Sequence, residues 1–180
     1  MASRNRHKYS EAKTILSDFG FNLALLEINR VEIQADDPAE IAMFSLKSIP
    51  DDGKTILVED AGLFIDNYRG FPGPYSSYTL RTIQLSGVLK LMEDVESRRA
   101  YFKSVVALRR KGYIKSFCGV ASGSIAHVIS GTGGFGFDPI FIPSDGDGRT
   151  FGEMTPQEKN ALSHRAKAFR SLGGWLANCE

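Results

Sequence analysis

The sequence is short of several features that would direct a function. It has two cysteines, Cys118 and Cys179, with no metal-type neighbour, and its histidines, His7, His127 and His164, are scattered. No zinc site can be assembled from that set at familiar ligand spacings. So sparse a use of cysteine fits a reducing compartment. Neither charge is in excess: 22 Lys plus Arg stand against 21 Asp plus Glu. That balance argues against a broad basic face for duplex nucleic acid or an acidic membrane, although a small anionic ligand needs only a few local cations. No apolar run approaches a membrane span, and the polar start from Met1 to Lys8 does not read as a signal peptide. The expectation is a soluble cytoplasmic protein that binds neither nucleic acid nor membrane. Internal repeats and low-complexity linkers are also missing.

What is present suits one compact domain. The 180 residues are 42% apolar, enough for a substantial core. Tyr9, Ala12, Ile15, Leu16 and Phe19 recur at helical spacing, and Gly20 supplies a stop. Phe21 to Gln34 reads as extended. Asp37-Pro38-Ala39-Glu40 reads as a helix start, with Asp37 as cap and Pro38 at the first position. Lys47 falls in the last turn of that helix, where a cation suits the dipole.

Thr55-Ile56-Leu57-Val58 reads as a short buried strand that ends in Glu59-Asp60. The loop from Gly70 to Pro74 leads into one helical stretch from Tyr78 to Met92. Ala100 to Arg109 and Ile114 to Ile129 read as meander strands, the second broken near Gly123. A glycine-rich turn, Gly131 to Gly136, precedes Phe137 to Ile142. Thr155-Pro156-Gln157-Glu158 is a capping-box pattern that opens the last helical region. Helices early, strands in the middle and a helix at the end give a mixed α/β domain.

Four segments could carry chemistry. In Glu59-Asp60, adjacent carboxylates leave a strand in different directions, so one can bind a hard cation while the other holds a water. Ser3 to Lys8 precedes a helix, and helix-start amides with Asn5 and Lys8 can share an anion. In Gly133-Gly134-Phe135-Gly136-Phe137-Asp138-Pro139, glycines allow close backbone approach, an aromatic can stack on a base, and Asp138 can accept from a base edge. Lys159 to Arg165 sets cations and polar side chains close together. On one unbroken helix Lys159 and Arg165 would point about 120° apart. Their convergence therefore needs a break near Ser163. Read singly, each segment is equally an ordinary solvated strand end, terminus, turn or helix face. Asp145-Gly146-Asp147-Gly148 is only a turn, because Arg149 occupies the third ligand position of a calcium loop.

Together and in this order, the segments resemble the inosine triphosphate pyrophosphatase family, also called dITP/XTP pyrophosphatases. The marks are Ser3-x-Asn5-x-x-Lys8, Val31-Glu32-Ile33-Gln34, Val58-Glu59-Asp60-Ala61-Gly62-Leu63, Gly70-Phe71-Pro72-Gly73-Pro74-Tyr75-Ser76, Gly134 to Phe141, and Glu158-Lys159-Asn160 with Ser163-His164-Arg165. The resemblance implies a single α/β domain, 1–180, of two lobes around a long mixed β-sheet with flanking helices and the active site in the cleft. It implies hydrolysis of ITP, dITP and XTP to the monophosphate and pyrophosphate, with magnesium as cofactor and a homodimer as the usual assembly. By matching motif, Ser3, Asn5, Lys8 and Lys47 would hold phosphates. Glu32, Glu59 and Asp60 would serve the magnesium, with Asp60 also acting on the attacking water. Phe135, Asp138, Lys159, His164 and Arg165 would line the base and ribose pocket.

A metal-bound water lets Asp60 serve as base without a raised pKa. Hypoxanthine and xanthine carry a keto oxygen where adenine has an amino group, so donors in the pocket would reject adenine by leaving it mispaired. Three departures from the family pattern stand out. Only Met1-Ala2 remain of the strand before Ser3, Ala61 replaces the usual Ser or Thr, and Arg69 replaces the usual Asn. Lower or shifted activity is the expectation from these. The alternatives are a Maf-like pyrophosphatase for other modified nucleotides and a non-catalytic nucleotide-binding module.

Overall fold

The structure, a computed structural model, describes residues 1–179. Its first helix, α1 (Arg6–Ser17), starts where Asn5 caps it: the Asn5 side chain accepts from the Lys8 backbone N–H. Gly20, at φ +79°, turns the chain away. The stretch from 21 to 34 is not a strand. Among the described residues, its strand pairing is one isolated parallel bridge from Leu26 to Ala2. Met1 and Ala2 are docked by backbone hydrogen bonds. Ala2 N–H donates to Leu57 O at 2.8 Å, and Leu26 N–H donates to Met1 O at 2.8 Å.

Helix α2 (Pro38–Ser48) has the expected Asp37 cap and carries Lys47 in its last turn. Strand β1 (Ile56–Ile65) is longer than the Thr55–Val58 reading. Glu59 and Asp60 therefore lie inside a ten-residue strand rather than at its end. The carboxylates hid the continuation, because a polar pair in an apolar run reads as a stop. Strand β2 (Pro72–Gly73) pairs antiparallel with β1, Leu63 opposite Gly73. The backbones meet so closely that a Cβ on Gly62 would lie 2.3 Å from Gly73 O. That contact accounts for the glycine at 62, while Gly73 is required by its φ of +54°.

The Tyr78–Met92 helix is two helices, α3 (Ser76–Thr82) and α4 (Gln84–Leu91). The break falls at Gln84, whose φ of +61° cannot continue a right-handed helix. Strands β3 (Arg99–Arg110) and β4 (Tyr113–Ile125) follow. Gly123 does not break β4. It sits where β4 pairs antiparallel with β5 (Phe141–Pro143), and a Cβ there would lie 2.3 Å from Ile142 O. The sheet order is β2-β1-β3-β4-β5. Helices α5 (Pro156–Leu162) and α6 (His164–Ala177) complete the α/β fold. Thr155 and Glu158 form the expected capping box, and the helix breaks at Ser163, with ψ 149°.

Backbone contacts group the chain into two compact units. The described residues of the first are Met1–Ala61, Ser104–Gly119 and 164–179. Its cores join Ile15 and Leu16 of α1 with Phe169 and Leu172 of α6, and Ala42 and Leu46 of α2 with Val58. The second comprises Gly62–Lys103 and Val120–Ser163, built around Phe102, Phe141 and Phe151. Among the described residues, no helix is long and apolar enough to cross a membrane.

Arg69 sits at φ 52°, ψ 34°, in the left-handed region. Asparagine enters that region far more readily than arginine. Arg69→Asn is expected to stabilise the fold by about 1 kcal/mol, roughly 2–4 °C in melting temperature. A thermal melt checks this; a lower melting temperature would mean that the arginine side chain contributes more than the strain removes.

Candidate active site

In the first unit a buried carboxylate organises the charges. Glu59 is 1% exposed. Its Oε1 accepts from Ser104 Oγ at 2.8 Å and from Arg165 Nε at 3.0 Å. Its Oε2 lies 2.9 Å from Lys8 Nζ. Burial alone would favour the neutral acid. The Arg165 and Lys8 charges, with hydrogen bonds from Lys8 and Ser104, outweigh it and hold the Glu59 carboxyl well below the usual carboxylate range. Arg165 is itself buried and reaches Glu11 Oε2 through Nη1 at 2.7 Å.

Asp60 has a different environment, as expected for the next residue on a strand. Its Oδ2 is buried and meets no hydrogen-bond partner. Burial is the largest influence and raises its pKa. The Lys8 charge pulls the other way, while the Glu59 and Glu32 charges push up again, and the result is about 6. The sequence reading needed no raised pKa here; desolvation in the fold supplies one.

The N-terminal turn is assembled from Ser3, Asn5 and Lys8. Ser3 is buried and its Oγ accepts from Asn5 N–H at 3.1 Å, while Asn5 Oδ1 accepts from Lys8 N–H at 3.0 Å. Glu32 is exposed and pairs with Arg30 at 2.5 Å. Lys47 is exposed on α2. His164 is buried at the start of α6, where a Cβ on Gly119 would lie 2.1 Å from His164 O. That close approach of strand to helix fixes the chain just before Arg165.

In the second unit, Phe135, Asp138 and Lys159 come together. Asp138 Oδ2 accepts from Phe135 N–H at 2.7 Å and from Lys159 Nζ at 2.6 Å. Lys159 Nζ also stands 4.6 Å from the centroid of the half-buried Phe135 ring. Gly134 must be glycine: its φ is +68°, and a Cβ there would lie 2.1 Å from Asp138 Oδ2.

Ser104, Glu11 and Arg30 escaped the sequence reading. Ser104 had a signal, a hydroxyl at an inward position of β3 among Ala100, Phe102 and Val106. Glu11 had one too, lying one helical turn after Lys8.

Among the described residues, no three His, Cys, Asp or Glu side chains are grouped tightly enough to hold a metal by themselves. A magnesium ion is a different case, since it takes one or two carboxylates and completes its shell with water and phosphate. The partnerless oxygen of Asp60 suits that role, and the exposed Glu32, whose charge acts on Asp60, is a carboxylate of the right chemistry. Glu59 suits it poorly, because Arg165, Ser104 and Lys8 occupy its oxygens.

The fold and these clusters define an α/β protein whose buried and exposed carboxylates face lysine and arginine at a helix start, an arrangement fit for an anionic ligand and a hard cation. Comparison makes the class specific. A Ham1 family model matches residues 1–175, and the chain belongs to that family. It is 47% identical over 175 residues to the dITP/XTP pyrophosphatase of Pyrococcus horikoshii, covering 96% of this chain and 92% of the relative. The dITP/XTP pyrophosphatase of Hyperthermus butylicus is 45% identical over 177 residues, at 98% and 93% coverage. Among solved structures, a HAM1 protein from Coxiella burnetii superposes with a TM-score of 0.82 at 32% identity, covering 98% of this chain and 96% of that one. The Ham1 protein of Staphylococcus aureus gives 0.83 at 25% identity, covering 99% and 97%.

Proposed function

We propose that this protein is a nucleoside-triphosphate pyrophosphohydrolase that cleaves ITP, dITP and XTP to the monophosphate and pyrophosphate, clearing deaminated purines from the nucleotide pool. The observation that carries the reading is Asp60. It is a desolvated carboxylate with a partnerless oxygen, next to Glu59, which is fixed as an anion. The name shared by relatives at 45–47% identity supports it.

Magnesium is the ion proposed, held by Asp60 and Glu32. When bound it supplies neutralisation of the phosphates and a more acidic water. The Asp60 carboxylate orients the attacking water and accepts its proton. Lys8, anchored on Glu59, and Lys47 on α2 stabilise charge on the departing pyrophosphate. The Asn5 cap and Ser3 shape the turn that meets the phosphates. Phe135 stacks on the purine, with Lys159 held in place by Asp138. His164 and the backbone around Arg165 complete the nucleoside contacts. The Arg165 side chain acts chiefly on Glu59 and Glu11. A homodimer and a cytoplasmic location belong to the same reading. Exposed Phe71, Tyr75 and Tyr78 offer apolar surface for a second copy.

The test is pyrophosphate release from ITP, dITP, XTP, GTP and ATP, with magnesium and with chelator. ITP and XTP are expected to exceed ATP by about a hundredfold or more in kcat/KM, because a mispaired buried donor is strongly rejected. Equal rates for ITP, XTP and ATP would refute the substrate class, and undiminished turnover in chelator would refute the metal.

A further inference from the structure

Arg30 carries a guanidinium that no role above uses. Its side chain is 13% exposed, whereas that of its partner Glu32 is 52% exposed. Nη2 donates to Glu32 Oε1. Nη1 of the same group is buried and meets no acceptor. The segment is held in place: Ser45 of α2, fully buried, donates through Oγ to Val31 O at 2.6 Å. Val31 lies between Arg30 and Glu32, so this bond fixes the pair to α2, the helix that carries Lys47.

Arg30 Nη1 and Asp60 Oδ2, of opposite sign, are among the buried polar atoms of the first unit that meet no hydrogen-bond partner. The Arg30 charge favours the ionised form of Asp60. Yet neither satisfies the other. A desolvated donor and a desolvated acceptor in one unit, not bonded to each other, call for a ligand that offers anionic oxygen to one and a cation or proton to the other. A phosphate oxygen with its associated cation has that dual character. Arginine suits the task better than lysine, because its planar fork can keep one nitrogen on Glu32 and present another to an anion.

We propose that Arg30 is a substrate-binding residue, donating through Nη1 to a phosphate oxygen of the triphosphate, with Glu32 anchoring its other terminal nitrogen. The assignment rests on the pyrophosphohydrolase reading.

The experiment uses inorganic pyrophosphate as probe, titrated calorimetrically into the whole protein in chelator, where neither metal nor turnover contributes. Arg30→Met is expected to weaken pyrophosphate binding at least about tenfold and to raise KM for ITP comparably, with kcat within about threefold. Arg30→Lys is expected to restore only part of the affinity. Glu32→Gln frees the guanidinium, so metal-free pyrophosphate binding should hold or tighten. The proposal is overturned if Arg30→Met binds pyrophosphate like the wild type, which would make Arg30 only a neutraliser of Glu32. It is equally overturned if Arg30→Met and Glu32→Gln weaken binding alike, which would make the pair a structural brace. Should the methionine variant lose its cooperative melt, Arg30→Gln is read by the same criteria. If the wild type releases no pyrophosphate from ITP, the activity reading fails, while the calorimetry still decides whether Arg30 holds a phosphate.

Discussion

Asp60→Asn is expected to lose pyrophosphohydrolase activity by about a thousandfold, within the range for removal of a general base, while gaining stability. The two effects share one cause. The Asp60 carboxyl is desolvated beside Glu59 and Glu32, and its pKa rises from 3.8 to about 6. A folded pKa above the unfolded value means that ionisation opposes folding. The favourable contribution is complete below the unfolded value and is lost as pH rises through about 6. The shift of roughly two units corresponds to as much as about 3 kcal/mol. Asparagine keeps the shape without the charge. The metal-free variant should therefore melt several degrees above the wild type at alkaline pH, with the gap closing as the buffer is taken toward pH 4. Metal and substrate are expected to stabilise the wild type far more than the variant. Full activity in Asp60→Asn would remove Asp60 from the mechanism. Melting below the wild type at high pH would contradict the desolvated-carboxylate account.

Glu59→Gln is expected to behave in the opposite sense. Glu59 satisfies Arg165, Lys8 and Ser104 from inside the fold. Removing its charge leaves a buried guanidinium and an ammonium without their shared anion. Breaking one side of a buried ion pair costs roughly 3–5 kcal/mol. Because Arg165 keeps Glu11 at 2.7 Å, the lower end of that range applies. A fall of roughly 6–12 °C in melting temperature follows for a chain of this size. The pH dependence also inverts. The Glu59 pKa is depressed, so its contribution is present above the unfolded value and is lost only as pH falls through the lower folded one. The Glu59→Gln deficit should thus persist across neutral pH and shrink in strong acid. An unchanged melting temperature would show that Glu59 does not anchor these cations.

These opposed outcomes come from adjacent residues, which the sequence separated by role but not by environment. It marked Glu59-Asp60 as acidic and strand-associated but read the strand as ending there. The reason is physical. Partners for Glu59 come from α1, β3 and α6, distant in sequence, so the apolar run seemed interrupted by charge when it was interrupted by a neutralised one. Local signals fared better. The Asn5 and Asp37 caps, the Thr155–Glu158 capping box and the break at Ser163 were legible because each depends on neighbours a few residues away. The split at Gln84 was not, since a positive φ at a residue with a side chain leaves no mark in composition. Gly123 misled for a related reason: it permits close pairing with β5, a contact made far along the chain. Of the candidate site, the residues that match family motifs were legible as candidates. Arg30, Ser104 and Glu11 are set by packing, and only the fold brings their roles into view.

The cleavage itself is tested most directly by single-turnover hydrolysis of ITP with magnesium in heavy-oxygen water, followed by mass analysis of the products. Water activated at Asp60 for attack on the α-phosphate predicts label in inosine monophosphate and unlabelled pyrophosphate. Label in the pyrophosphate, or release of orthophosphate with inosine diphosphate, would contradict it.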